Sequence, residues 1–368
     1  MVQMQKQHKP DYLLIGIIFA ILLFGTVMIY SASSIWAAYK FGDSFYFLKR
    51  QILFAGVGVI SMMIVSHIPY YQWLKHRKWI FIVCVVLLIA VLIPGIGMVR
   101  GGARSWIGVG AFSIQPAEFI KLGMIMFLSG FLVQHQDKLS LFKKGFLPPL
   151  GMSIAIFLII MLQPDLGTGM VFLLTCFLLI FVAGAKFSHF IFLAGFGVIG
   201  FLLLIISAPY RINRIIAFLD PWEDPLGTGF QIIQSLYAIG PGGLLGVGWG
   251  NSLQKYFYLP EPHNDFIFAI IAEELGFIGG CFVIVLFFLF AWRGILTAIH
   301  APDLFSKLLA VGIIGMIMIQ VMINISVVIG LIPVTGITLP FLSYGGSSLT
   351  LTLCSVGILI NISKYRQQ

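Results

Sequence analysis

Apolar runs long enough to cross a lipid bilayer recur ten times in this chain. They lie near residues 12–31, 47–66, 79–96, 116–133, 147–162, 168–184, 187–207, 265–291, 306–330 and 344–362. About 20 helical residues span a hydrocarbon core of about 30 Å. Lipid offers the backbone no hydrogen bonds, so such runs must satisfy themselves as helices. The expected fold is all-α: a polytopic membrane protein with ten transmembrane helices. The fifth and sixth runs are divided only by the turn "QPDLG". Lys6 and Lys9 precede a first run too long for the apolar core of a cleaved signal peptide, so it reads as a span. No repeat and no long soluble domain interrupts the series, and 1–368 reads as a single membrane domain.

Composition excludes the soluble classes. The chain is 60% hydrophobic and 10% charged, too few charges to cover a water-soluble surface of 368 residues. The net charge of +9 is not a nucleic-acid surface, because Lys and Arg sit in short clusters between apolar runs, as topology signals do. Cys84, Cys176, Cys281 and Cys354 all lie within apolar runs without metal-ligand spacing, and read as small hydrophobes.

An even number of spans puts both termini on one side. With that side cytoplasmic, its segments hold 13 of the 22 Lys and Arg residues, among them Lys75, Arg77, Lys78, Lys138, Lys143, Lys144 and Lys186. The positive-inside rule favours this orientation. The opposite, external face then carries three segments rich in Gly, Pro and aromatic residues. They are "GIGMVRGGARSWIGVGAFSIQPAEF", the large loop 208–264 between helices 7 and 8, and "GLIPVTGITLPFLSYGGSS". Such segments suit irregular backbone lining a cavity at membrane depth.

The charges that remain are candidate site residues. In "LPEPHNDFIFAIIAEELG" a membrane run opens on Asp265 and carries Glu273 and Glu274. Asn264 is a candidate N-cap with Asp265 in the first turn. Asp265 then either complements the helix dipole or presents a carboxylate at the rim of a cavity. Glu118 and Lys121, at i,i+3, share a helix face, and Lys121 is the expected partner of Glu273 or Glu274. Arg100, Arg104, Arg211 and Arg214 either bind lipid headgroups or clamp a pyrophosphate, which a guanidinium grips with two parallel bonds. "GPGGLLGVGWG" lacks a phosphate-loop pattern and reads as a mobile loop, with a backbone cradle for phosphate as the alternative. His263, two residues before Asp265, is a weaker candidate for acid–base or metal chemistry. Physics alone reaches a membrane enzyme or transporter for a lipid-linked anion.

Five long motifs add a resemblance. "RGGARSWIGVGAFSIQPAEFIKL", "QPDLGTG", "DPWEDPLGTGFQIIQSLYAIGPGGLLGVGWG", "LPEPHNDFIFAIIAEELG" and "GLIPVTGITLPFLSYGGSS", in this order, resemble the SEDS family of shape, elongation, division and sporulation proteins. "YRINRI", "YLPEPHNDFIFAI" and "GLIPVTGITLPFLSYGGSSLTL" look most like its sporulation branch, with the division branch next. The resemblance implies a ten-helix peptidoglycan glycosyltransferase that polymerises lipid II at the outer face of the cell membrane, in spore cortex synthesis or in division. It implies an undecaprenyl-pyrophosphate-linked glycan as donor and a class B penicillin-binding protein as transpeptidase partner. The family's essential Asp maps onto Asp265, its loop Arg onto Arg104, and its Glu/Lys pair onto Glu118 and Lys121. Asp265 would act as general base. Cationic groups, or a divalent metal (Mg or Mn) held by carboxylates, would stabilise the leaving pyrophosphate. A lipid II flippase, or a purely structural partner of a penicillin-binding protein, is the rival reading. Polar groups concentrated on one face favour the enzyme over the flippase, and buried carboxylates are unexplained by the structural reading.

Overall fold

The computed structural model describes residues 8–100, 103–109, 112–206 and 208–366. Each of the ten apolar runs falls on a helix. In chain order these are α1 (Tyr12–Phe41), α2 (Tyr46–His67), α3 (Tyr70–Ala90), α4 (Pro116–Gln134), α5 (Leu147–Met161), α6 (Leu166–Val182) and α7 (Phe187–Ile206). After α8 (Pro209–Leu219) and α9 (Phe230–Gly242) in the long loop come α10 (Ile267–Ile299), α11 (Leu304–Val328) and α12 (Gly346–Ser363). Among the described residues seven helices are long and apolar enough to cross a membrane, counting α5 with the turn before it. α6, with 17 residues, is shorter than that.

α2 packs along α12 and α3 along α4, while α10 lies against α1, α9 and α11. α11 also meets α4, α6 and α12, which puts it near the middle of the bundle. Its residues from Leu308 to Ile317 are mostly buried. Large apolar side chains on the outer helices stay uncovered instead, such as Leu23 at 70% and Trp79 at 70% exposed. Their solvent is lipid, so this exposure carries no penalty.

One sheet departs from the all-helical expectation. β1 (Gly97–Arg100), β2 (Ala103–Val109) and β3 (Phe112–Ile114) form an antiparallel meander between α3 and α4. "ARSWIGV" alternates side chains as a strand does, and glycines precede and follow it in the sequence. The sheet leads into the start of α4, where Lys121 donates to Gln320 of α11, one turn from the Asn324 that donates to the Asp265 carbonyl.

α10 is the other departure. It is broken at Gly276, whose φ of 63° and ψ of −160° are not helical. The loop 243–248 enters the break. Val247 and Gly248 donate their N–H groups to the carbonyls of Glu273 and Glu274, at 2.9 and 3.0 Å, and Phe277 donates to Gly243 O at 2.8 Å. The "GPGGLLGVGWG" segment is therefore seated in the membrane helix rather than loose. The seat needs Gly246: its φ is 81°, and a Cβ there would lie 2.1 Å from Glu274 O.

Candidate functional site

Asp265 sits just outside α10. The helix starts at Ile267 with Phe266 in the cap position, and no acid lies in its first turn. Asn264 is therefore not the N-cap, and Asp265 lies one residue before the cap instead of in the first turn. The two prolines, Pro260 and Pro262, hold the preceding chain in turns, which delays the helix. Asn264 instead donates its amide to Glu261 at 2.6 Å.

The Asp265 main chain is clamped while its carboxylate stays half-buried. Asn324 Nδ2, on α11, donates to Asp265 O at 2.7 Å. Tyr344 N donates to His263 O at 2.9 Å, tying the same loop to the segment before α12. Burial pushes the Asp265 carboxyl up to about 6. Its own backbone N–H opposes the rise, Glu261 adds to it, and Arg214 opposes it again. Desolvation wins, and the result is a carboxylate that is ionised near neutrality yet more basic than an ordinary Asp.

Arg211 and Arg214 part company. Both lie on α8, but they line different clefts that share Tyr210. Arg214 is exposed, donates to Val334 O at 3.1 Å, and faces a cleft of about 380 Å³ with Asn213, Thr228, Gln231 and Pro260. Arg211 is buried, donates to the Tyr210 hydroxyl at 2.9 Å, and lines a cleft of about 460 Å³ walled by Leu158, Leu162 and Pro164. Arg214 is the arginine whose charge acts on Asp265. Arg104 lies half-buried on β2, which packs against α4. Arg100 ends β1, and its side chain lies outside the described residues.

α4 carries the second charged group. Glu118 and Lys121 form an ion pair of 2.7 Å, both nearly withdrawn from solvent. Ser348 donates to Glu118 at 3.2 Å, and Lys121 donates to Gln320 at 3.1 Å. Asp165, which caps α6, joins this neighbourhood: Gln115 donates to it at 2.7 Å. Burial raises its pKa, Thr168 lowers it, and the charges of Glu118 and Lys121 act on it in opposite senses. "QPDLG" reads in sequence only as a turn, so Asp165 is not legible there as a site residue.

Glu273 and Glu274 do not pair with Lys121. Lys255, from the long loop, lies 2.9 Å from Glu274 Oε1, and Ser31 of α1 donates to both oxygens of Glu274 at 2.7 and 2.6 Å. Glu273 accepts from Ser252 Oγ at 2.5 Å and from Leu253 N at 2.7 Å. The break at Gly276 is the reason: it opens the helix to the loop, which brings its own cation. Nothing local in the sequence marks Lys255, which lies 19 residues from its partner.

His263 is buried among aromatic rings, Phe47 at 4.2 Å, Trp36 at 5.7 Å and Tyr344 at 5.8 Å between centroids. Burial lowers its pKa to about 4. It is neutral near pH 7 and packs as a ring. Among the described residues no three His, Cys, Asp or Glu side chains gather to hold a metal. Asp265 and Glu261 are two carboxylates within electrostatic reach of one another.

Fold and site together define a multi-pass membrane protein with a half-buried carboxylate, cationic clefts and a paired polar network at one end of its helices. Residues 11–368 match the cell cycle protein family of FtsW, RodA and SpoVE, and the chain belongs to that family. It is 61% identical over 360 residues to stage V sporulation protein E of Bacillus subtilis (strain 168), covering 98% of each chain. It is 44% identical to a probable peptidoglycan glycosyltransferase FtsW of Geobacter sp. (strain M18), over 97% of this chain and 98% of that one. Among solved structures, a peptidoglycan synthase complex that coordinates polymerization and crosslinking contains a chain 32% identical. It superposes with a TM-score of 0.79 over 98% of this chain and 99% of that one. Thermus thermophilus RodA, a rod shape determining protein, is 27% identical with a TM-score of 0.69, over 98% of each chain.

Proposed function

We propose that this protein is a peptidoglycan glycosyltransferase that polymerises lipid II at the outer face of the cell membrane, with both termini cytoplasmic. The observation that carries the reading is Asp265: a carboxylate poised near 6, outside the end of a membrane helix, within electrostatic reach of Arg214 and its cleft. The higher identity to stage V sporulation protein E than to FtsW supports a role in spore cortex synthesis over a role in division.

The acceptor's sugar hydroxyl attacks the anomeric carbon of the donor sugar. A new C–O bond forms as the bond from that carbon to the pyrophosphate oxygen breaks, with inversion. Asp265 takes the hydroxyl proton as general base. The pyrophosphate leaves with the electron pair, and Arg214, whose charge reaches Asp265, is the cation proposed for its phosphate oxygens, with Arg211 in the neighbouring cleft as a second. The same task is proposed for Arg104 of β2. A divalent ion is compatible with the residues present: Mg²⁺ is held by one or two carboxylates plus substrate phosphates, and Asp265 and Glu261 supply two. Such an ion would neutralise charge building on the leaving group. The exposed aromatic residues Trp222, Trp249 and Tyr258 in the long loop support a protein partner, a class B penicillin-binding protein that crosslinks the product.

The test is polymerisation of labelled lipid II by the purified full chain, with and without that partner. Glycan polymer is the expected result. Lipid II moved across vesicle membranes with no polymer formed would establish a flippase instead.

A further inference from the structure

Lys121 and Glu118 touch neither Asp265 nor its cleft in any hydrogen bond or ion pair described above, yet one hydrogen-bonded route joins them to it. α11 carries Gln320 and Asn324 one turn apart on one face. Gln320 accepts from Lys121 Nζ at 3.1 Å and donates from its amide to Thr338 O at 3.0 Å. Asn324 donates from a single amide nitrogen to two carbonyls, Ile337 O and Asp265 O, each at 2.7 Å. Ile337 and Thr338 are neighbours, so the two amides staple one short extended segment and then the Asp265 backbone. Gln320 is 6% and Asn324 1% exposed.

We propose that Asn324 is a positioning residue for Asp265 and that, with Gln320, it couples Asp265 to the Glu118–Lys121 pair. This rests on Asp265 being the reacting carboxylate. The chemistry of the clamp fits the task. A bond to the Asp265 carbonyl fixes the main chain and leaves both carboxylate oxygens available. The Asn324 carbonyl oxygen has no partner among the described residues, so the amide serves here as a donor alone. A buried donor that satisfies two main-chain acceptors is costly to remove, because both carbonyls then lie unpaired in a dry interior. Lys121 acts at one further remove: its ammonium orients the Gln320 amide, which fixes Thr338 beside Ile337.

The experiment uses the full chain in detergent and reads two independent signals. Asn324→Ser shortens the side chain and breaks both hydrogen bonds, to Ile337 O and to Asp265 O. Hydrogen–deuterium exchange is expected to quicken in the two stretches 259–268 and 334–342 and to stay as in wild type elsewhere. The kcat for lipid II polymerisation is expected to fall about 10–100-fold with KM within about twofold, since misplacing a reacting group costs rate more than binding. Gln320→Met removes the Lys121 side of the route while leaving the Asn324 bonds in place, and is expected to quicken 334–342 as much as Asn324→Ser does and 259–268 to a smaller degree. It serves also where Asn324→Ser does not fold. Unchanged exchange in both stretches, or quickening spread evenly over the chain with kcat and KM shifting together, overturns the proposal. Wild-type protein that makes no polymer would refute the glycosyltransferase reading, while the exchange result would still decide whether Asn324 holds Asp265.

Discussion

The ammonium of Lys255 lies 2.9 Å from Glu274 Oε1, with both side chains removed from solvent. This bond joins a loop to the broken membrane helix that leads up to Asp265. Removing one member of a buried pair leaves a charge without compensation, a loss of about 3–5 kcal/mol. Lys255→Met is therefore expected to lower the unfolding temperature in detergent markedly. Lys255→Met with Glu274→Gln is expected to recover much of it, because no bare charge then remains. If the single and double variants unfold together, the pair does not anchor the loop.

The raised pKa of Asp265 sets a sign for stability. The folded carboxyl titrates near 6 against an ordinary value of 3.8, so between those values the native state holds more protons than the unfolded one. Stability then falls as pH rises through that window, and the penalty is complete above about pH 6. Asp265→Asn carries no charge. It is expected to unfold at a higher temperature than wild type at neutral pH, with the gain fading below about pH 4. Thermal scans across pH measure this. An Asn variant less stable than wild type at neutral pH and unchanged in acid would show that burial does not strain the carboxylate.

Two glycines in one loop separate backbone strain from close approach. Gly246 and Gly250 have φ values of 81° and 83°, so Ala at either is strained by about 1 kcal/mol. Only Gly246 also abuts the helix break, where a Cβ would meet Glu274 O; nothing lies within 4 Å of one at Gly250. Gly246→Ala is expected to lower the unfolding temperature well beyond Gly250→Ala. Equal shifts would mean that the loop does not depend on its seat in α10.

Much of the frame was legible because lipid leaves few choices. An apolar run of about 20 residues must be a helix, and each of the ten runs falls on one. Asp265, Arg214 and the Glu118–Lys121 neighbourhood were legible because charges in an apolar chain stand out. The partners were not. Glu274 takes Lys255 rather than Lys121 because Gly276 breaks the helix, and a single Gly in an apolar run does not announce a break. Asn324 and Gln320 are not legible in sequence, because a neutral amide inside a span carries no topological signal, although each meets main-chain carbonyls. Asp165 hid in a turn, where a cap and a buried charge look alike. The separation of Arg211 from Arg214 depends on where Tyr210 points, which their spacing of three does not encode.

In the proposed reaction Asp265 accepts the proton of the attacking hydroxyl. The direct measurement is the initial rate of polymerisation of labelled lipid II by purified Asp265→Asn beside wild type, with folding and lipid II binding checked in the same preparations. Loss of a general base costs about 10²–10⁴-fold in rate. Asp265→Asn is expected to fold and bind lipid II but to make polymer at no more than about a hundredth of the wild-type rate. An Asp265→Asn protein that polymerises lipid II near the wild-type rate would contradict it.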